Sequence, residues 1–80
     1  MSLIDRLTPI FREVFEEPSL TVTPELRAED VEKWDSLNHI NLVVAIEAEF
    51  GFEFTADELG SMTNVGDLLK VLKQRGFDDA

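Results

Sequence analysis

Residues 34–51, WDSLNHINLVVAIEAEFG, contain the most regular apolar pattern in the sequence. The apolar side chains recur every three or four residues, which is the spacing that places them on one face of a helix. They are Leu37, Ile40, Val43, Val44, Ile46 and Phe50. Gly51 follows the last of them and can adopt the left-handed conformation in which many helices end. The stretch therefore predicts a helix over residues 35–50.

A second helix is predicted near the start of the chain. Its apolar stripe consists of Leu3, Ile4, Leu7, Ile10, Phe11, Val14 and Phe15. Ser2 can cap its first turn, with Asp5 in the third helical position of a capping box. We expect Pro18 to end this helix and Pro9 to kink it, because proline lacks a backbone N–H and clashes with the preceding turn.

Residues 17–33 predict a long connection between these two helices. Its prolines interrupt regular structure, whereas Leu20, Val22 and Leu26 can anchor the segment to a core. Long loops in compact domains are usually either functional or disordered. The apolar anchors favour an ordered loop.

A short helix is predicted after residue 54. Residues 50–54 alternate in the manner of a strand, but no partner strand exists elsewhere, so we interpret them as a loop with inward-pointing aromatic side chains. Thr55 and Glu58 then form a capping box for a helix near residues 56–60.

The last predicted helix completes an all-α fold. Thr63 or Asn64 can cap it, Gly76 can end it, and residues 77–80 are expected to fray. Its inward positions are Val65, Leu68, Leu69 and Leu72. The whole pattern predicts a four-helix bundle of three main helices and one short helix, forming a single domain over residues 1–80.

Composition limits the functions open to this chain. With 80 residues and a hydrophobic content of 44%, it can form one compact core but not two. A net charge of −10 argues against nucleic acid and anionic membranes as partners and favours proteins with basic patches. The absence of cysteine excludes disulfides and a cysteine nucleophile. The longest apolar run, Leu42 to Ile46, is too short to span a membrane, and no signal-peptide pattern opens the sequence. We expect a soluble, cytoplasmic monomer.

The acidic residues are unevenly distributed. From Trp34 to Leu69 there are seven acids and no Lys or Arg; the acids are Asp35, Glu47, Glu49, Glu53, Asp57, Glu58 and Asp67. Two interpretations stay open. The segment can be a solvated surface that keeps a small domain soluble, or a docking face that attracts basic partners.

Ser36 lies where the best-defined helix begins. Free backbone N–H groups and the positive end of the helix dipole favour an anion there, such as a phosphodiester. Asp35 and Ser36 are also among the commonest types of helix cap, so a purely structural role stays open. His39 follows three residues later, but no convincing orienting residue or set of oxyanion donors accompanies the pair. We therefore assign no nucleophile and base, and we expect His39 on the surface or against a partner.

Two separate motifs together resemble a known family. Residues 34–51 resemble the attachment segment of acyl carrier proteins, and residues 63–68, TNVGDL, resemble the T-x-V-G-D-hydrophobic signature that opens the last helix of that family. The resemblance covers nearly the whole chain, including its length, its acidity and the order of its helices. It implies a four-helix bundle with one short helix.

The resemblance also implies a function. A phosphopantetheinyl transferase would move 4′-phosphopantetheine from coenzyme A onto Ser36. The thiol of that arm would then carry acyl groups as thioesters between enzymes of fatty-acid, polyketide or related biosynthesis. The absence of cysteine is consistent with this function, because the reactive sulfur would arrive with the arm. The carrier itself would not be an enzyme.

The same resemblance assigns roles to further residues. Asp35 would help the transferase and its metal ion to approach, and Leu37 would be an exposed apolar residue that partner enzymes contact. Val44, Glu47 and Glu49 would join Leu37 in docking enzymes with basic patches. The family shelters acyl chains between its helices, although a plain packed core explains the matching residues more simply. These residues are Ile40, Ile46, Phe50, Phe54, Met62 and Leu68.

Some residues depart from the family's pattern. Asn38, Asn41 and Ala48 stand where carriers of fatty-acid synthesis are usually acidic, and Trp34 and His39 are also unusual. We therefore expect a specialised carrier with its own partner enzymes. Two alternatives stay open, namely a carrier of aminoacyl or peptidyl groups and an acidic helical interaction module that is never modified.

Overall fold

Residues 2–77 fold into a bundle of four helices, as the sequence predicts. The computed structural model of the chain describes residues 2–77. The helices are α1 (Leu3–Val14), α2 (Ser36–Phe50), α3 (Ala56–Ser61) and α4 (Val65–Gln74), with a 3₁₀ turn at Ala28–Asp30 in the connection between α1 and α2. Within residues 2–77 there is no strand, and none of the helices is long and apolar enough to cross a membrane.

α1 begins at the predicted capping box but ends sooner than expected. The Ser2 hydroxyl accepts a hydrogen bond from the Asp5 N–H (3.0 Å), and the Asp5 carboxylate accepts one from the Ser2 N–H (3.4 Å). The helix continues through Pro9, which lies inside it. It stops before Glu16, whose backbone is left-handed with φ of 54°. The prediction that Pro18 ends α1 is therefore wrong, because the turn at Glu16 redirects the chain first.

The long connection is ordered and bonded to the start of α4. Val22 is buried, while Leu20 and Leu26 pack partly buried against the core, as predicted. The Leu26 carbonyl accepts a hydrogen bond from the Val65 N–H, and the Pro24 carbonyl accepts one from the Gly66 N–H, both at 2.9 Å.

Gly66 allows the connection to approach α4 closely. A Cβ atom at this position would lie 3.1 Å from the Pro24 carbonyl oxygen and 3.2 Å from the Asn64 side-chain oxygen. Both distances are shorter than an ordinary van der Waals contact, and both oxygens are held by hydrogen bonds. A side chain at this position of the TNVGDL motif would require these oxygens to shift by a few tenths of an ångström.

α2 presents only part of the predicted apolar stripe to the core. Leu37, Ile40 and Val44 are 69%, 61% and 58% exposed. The buried residues of α2 are Leu42, Val43, Ile46 and Phe50. Positions two apart on a helix are separated by about 200° around its axis, so Leu42 and Val44 point in opposite directions. Ile40 belongs to this outer stripe and not to the core, but it lines the space between α2 and α3, as predicted.

The core lies among α1, α2 and α4, and every buried side chain within residues 2–77 is apolar. Outside α2 these side chains are Leu3, Leu7, Phe11, Phe15, Val22, Val31, Phe54, Val65, Leu68, Leu69, Val71 and Leu72. Full burial of one such Leu or Phe contributes roughly 1.5–3 kcal/mol.

Local signals set the starts of α3 and α4. The Thr55 hydroxyl accepts from the Glu58 N–H (3.1 Å) and the Glu58 carboxylate accepts from the Thr55 N–H (2.9 Å), which confirms the capping box. Of the two candidates for the cap of α4, Asn64 provides it, accepting from the Asp67 N–H at 2.7 Å. Thr63 instead donates to the Asp67 carboxylate.

The end of α4 is more ordered than the sequence predicts. Gly76 has a left-handed φ of 94°, as expected of the residue that ends the helix. Phe77 is predicted to fray, but its ring lies 5.0 Å from that of Phe50 and its N–H donates to the Leu72 carbonyl (3.0 Å). That prediction is wrong for Phe77, because apolar packing holds it, and residues 78–80 lie outside the described residues.

Candidate functional site at the start of α2

Asp35 caps α2 and leaves the neighbouring serine free. The Asp35 backbone is extended (φ −102°, ψ −175°), and its Oδ1 accepts a hydrogen bond from the Asn38 N–H at 2.9 Å. Ser36 is therefore the first residue inside the helix. Its side chain is exposed, and its hydroxyl makes no hydrogen bond to any residue in the described range 2–77.

Two backbone donors accompany the Ser36 hydroxyl. The N–H groups of Ser36 and Leu37 have no acceptor within residues 2–77, as expected in the first turn of a helix. The turn is held in place from outside the helix, because the Asn38 side-chain amide donates to the Lys33 carbonyl at 2.8 Å. An anion on Ser36 would thus meet unpaired donors on a fixed segment.

Trp34 and His39 contact each other beside Ser36. The Trp34 Nε1–H donates to His39 Nδ1 at 3.0 Å, and the two ring planes are nearly parallel (16°), with centroids 6.3 Å apart. The indole also packs against Phe11 and Phe15, at 5.5 and 5.4 Å between ring centroids. His39 is therefore half-buried and bonded within the chain, and the expectation that it contacts a partner stays a prediction. Sequence reasoning identified both residues as unusual but missed their contact.

An open cavity of about 400 Å³ adjoins the serine. Its lining residues are Ala28, Trp34, Asp35, Ser36, His39 and Met62. A second cavity of about 240 Å³, between α2 and α3, is lined by His39, Ile40, Val43, Val44 and Leu59. His39 is the residue that the two cavities share.

Known proteins resemble this chain along most of its length. Residues 5–72 match a family model described as a phosphopantetheine attachment site. The chain is 36% identical over 59 residues to an acyl carrier protein of Rickettsia massiliae (strain Mtu5), which covers 74% of this chain and 67% of that protein. The chain belongs to the acyl carrier protein family.

Two further proteins support the same conclusion over a larger share of the carrier. An acyl carrier protein of Helicobacter pylori (strain ATCC 700392 / 26695) is 29% identical over 73 residues, covering 91% of this chain and 94% of that protein. The solution NMR structure of holo acyl carrier protein from Geobacter metallireducens superposes with a TM-score of 0.85 at 43% identity, covering 92% of this chain and 85% of that one. The predicted fold is confirmed, and so is an acyl carrier function that uses covalently attached phosphopantetheine.

The start of α2 in this carrier fits such a group. The phosphopantetheine arm is joined through a phosphodiester, which needs an accessible hydroxyl, nearby hydrogen-bond donors and space for the arm. The exposed Ser36 hydroxyl, the unpaired N–H groups of Ser36 and Leu37 and the cavity of about 400 Å³ supply these three features.

Several acids of the carrier have partners inside the molecule. Glu47 Oε2 accepts a hydrogen bond from the Phe54 N–H at 2.8 Å. Glu49 lies 3.5 Å from the Arg6 guanidinium, and Glu58 pairs with Arg75. The acidic stretch from residue 34 to residue 69 is therefore partly neutralised by bases from other segments, which the sequence alone does not reveal.

Hydrogen bonds lower the pKa of two of these acids. For Asp67, the main cause is the Thr63 N–H, followed by the Thr63 hydroxyl, and together they place the pKa below its ordinary value. For Glu58, the Thr55 N–H has the largest effect in lowering the pKa, and Arg75 adds to it. Both carboxylates accept hydrogen bonds at the starts of α3 and α4. Neither of them lines the cavity at Ser36.

Proposed function

We propose that Ser36 is the residue that carries 4′-phosphopantetheine in this acyl carrier protein. The observation that carries the proposal is its exposed hydroxyl, unbonded within residues 2–77 and located in the first turn of α2. Since Asp35 performs the capping, the Ser36 oxygen can react without loss of a structural hydrogen bond.

The loading reaction takes place at that oxygen. A phosphopantetheinyl transferase binds coenzyme A, which is the donor of the phosphopantetheine group. The Ser36 oxygen forms a bond to the phosphorus that bears the pantetheine, the phosphoanhydride bond breaks, the nucleotide part of coenzyme A leaves, and the hydroxyl proton is released. We propose that Asp35 helps the transferase and its metal ion to approach. Its Oδ2 supports this role, because that oxygen makes no hydrogen bond within residues 2–77.

The attached group supplies a terminal thiol that holds acyl cargo as a thioester. Ser36 anchors the group, and the N–H groups of Ser36 and Leu37 bind the phosphodiester that joins it to the chain. We propose that the carrier catalyses no step itself and acts as a cytoplasmic monomer. Its cargo would come from fatty-acid, polyketide or related biosynthesis.

We propose that the outer face of α2 docks the transferase and the acyl-transferring or synthase enzymes. Leu37 and Val44 are exposed apolar residues of the stripe that also includes Ile40. Glu47 and Glu49 follow on the same helix, Glu49 on the side where it pairs with Arg6 of α1, and both would complement basic patches. Glu49 is the more exposed of these acids, whereas Glu47 is also engaged by the Phe54 N–H.

The departures from the family's acidic pattern have a partly structural explanation. Asn38 uses its side-chain amide as a donor to the Lys33 carbonyl. An aspartate there has no hydrogen to donate and would place its charge against that oxygen. This observation supports a specialised carrier whose partner enzymes bind a less negatively charged surface at the start of α2.

Measurement of the intact mass tests the attachment site. Apo protein is incubated with a phosphopantetheinyl transferase and coenzyme A. We expect a gain of one phosphopantetheinyl group, and no gain for Ser36→Ala. Ser19→Ala is the matched control, because Ser19 is also an exposed serine, and it should load normally.

Two results would contradict the proposal. One is a mass gain that persists in Ser36→Ala. The other is no gain for the unaltered chain with several transferases, which would favour the unmodified interaction module. Loading followed by the appearance of aminoacyl cargo in native cells would identify an aminoacyl carrier.

A further inference from the structure

The orientation of the His39 ring is fixed by Trp34, which packs against core residues. Trp34 packs edge-on against Phe11, with an interplanar angle of 87°, and at 32° against Phe15. Phe11 and Phe15 are fully buried, so the indole has a fixed support. Its Nε1–H then donates to His39 Nδ1 at 3.0 Å.

This hydrogen bond also determines which imidazole nitrogen carries hydrogen. Nδ1 accepts from the indole, so in the neutral ring the hydrogen resides on Nε2. Within residues 2–77, Nε2 has no hydrogen-bond partner. His39 therefore offers one donor beyond those of the backbone.

The His39 side chain, which carries this Nε2–H donor, lies close to Ser36. Residues three apart on a helix are neighbours, with Cβ atoms about 5–6 Å apart, and Ser36 and His39 line the same cavity of about 400 Å³. The helix α2 itself contains no Lys or Arg, the nearest base along the chain is Lys33, and Asp35 adds a negative charge beside Ser36. An anion on Ser36 thus has neutral donors from its own helix within reach, and His39 is one of them.

We propose that His39 donates its Nε2–H to a phosphodiester oxygen of the group attached to Ser36, and that Trp34 is the positioning residue that holds the ring for this contact. The proposal rests on Ser36 as the attachment site. It also gives the two unusual residues beside this serine a common role, since the indole N–H fixes the tautomer of the imidazole.

Nitrogen NMR of the unaltered protein tests the proposal directly. Apo and holo protein are labelled with ¹⁵N in histidine and compared at about pH 8, above the ordinary titration range of imidazole. His39 is the chain's only histidine. We expect the hydrogen on Nε2 in both forms and, on loading, a larger change in the Nε2 and Hε2 shifts than in the Nδ1 shift. If the chemical shifts of the His39 ring nitrogens are the same in the apo and holo protein, the proposed contact is wrong.

Phosphorus NMR of holo variants supplies the second measurement. His39→Phe retains a ring but has no donor, so the ³¹P resonance should move away from its position in the unaltered holo protein. Trp34→Phe retains a ring but removes the indole N–H, so the Nδ1–H tautomer should appear and the ³¹P resonance should move in the same direction by less. An unchanged ³¹P resonance in holo His39→Phe would overturn the proposal. If the mass measurement instead locates the group at another residue, the attachment proposal fails before this contact is tested.

Discussion

Replacement of Glu47 by alanine should destabilise the carrier through the turn between α2 and α3. Glu47 Oε2 accepts a hydrogen bond of 2.8 Å from the Phe54 N–H, across the turn that follows Gly51. Phe54 is buried at the end of this turn. Removal of the carboxylate leaves the Phe54 N–H without this acceptor and loosens the connection that places α3.

The expected cost follows from the type of hydrogen bond. Bonds to charged groups contribute about 1.5–3 kcal/mol, and the lower end applies because Glu47 is only half-buried. The higher helix propensity of alanine recovers a few tenths of a kcal/mol. A net loss of about 1.2 kcal/mol corresponds to a decrease in Tm of roughly 5–10 °C for a domain of this size. Glu47→Gln keeps an uncharged acceptor and should lose about half as much free energy.

Glu49→Ala provides the matched control on the same helix. Its carboxylate forms an exposed pair with Arg6 at 3.5 Å, and such pairs contribute about 0.2–1 kcal/mol. The free energies of unfolding are measured by urea denaturation followed by circular dichroism, at low and high salt. Added salt should reduce the effect of Glu49→Ala and leave most of that of Glu47→Ala. Equal destabilisation by the two variants would show that the bond to Phe54 contributes nothing of its own.

Two further predictions concern other carboxylates. Because hydrogen bonds lower the pKa of Asp67 in the folded protein, the stability it provides is present above the ordinary value of about 4 and is lost as the pH falls through the folded value. The free energy of unfolding of Asp67→Asn should therefore decline less steeply than that of the unaltered protein between about pH 5 and pH 2, and parallel curves would contradict this. For docking, Glu49→Gln should lower the association rate with a basic partner enzyme more than it raises the dissociation rate. Stopped-flow measurement at low salt checks this, and an unchanged association rate argues against the docking face.

Much of the fold could be predicted because the deciding signals are local. The capping box of Thr55 and Glu58 needs residues only three positions apart, and it forms as predicted. Gly51 ends α2 in the left-handed conformation that its position indicates. The end of α1 was missed because the left-handed residue there is Glu16, a type with no preference for that conformation.

The orientation of α2 could not be predicted from spacing alone. Apolar residues lie on two sides of this helix, and periodicity does not distinguish the side that packs into the core from the side that stays exposed. Leu42 and Val44 are equally apolar, yet the former is buried and the latter exposed. The bond between Trp34 and His39 was missed for a different reason, since it bridges the helix cap, where neither helical nor strand periodicity applies.

The hydrogen bonds from Val65 and Gly66 to the α1–α2 connection have a consequence for how this carrier matures. A chain that ends before α4 lacks the donors for the Leu26 and Pro24 carbonyls, so the segment leading to Ser36 loses two of the bonds that hold it. During synthesis, α4 leaves the ribosome after the rest of the bundle. The serine therefore gains its final surroundings only after α4 has been made, and an isolated peptide of residues 34–51 would not reproduce them.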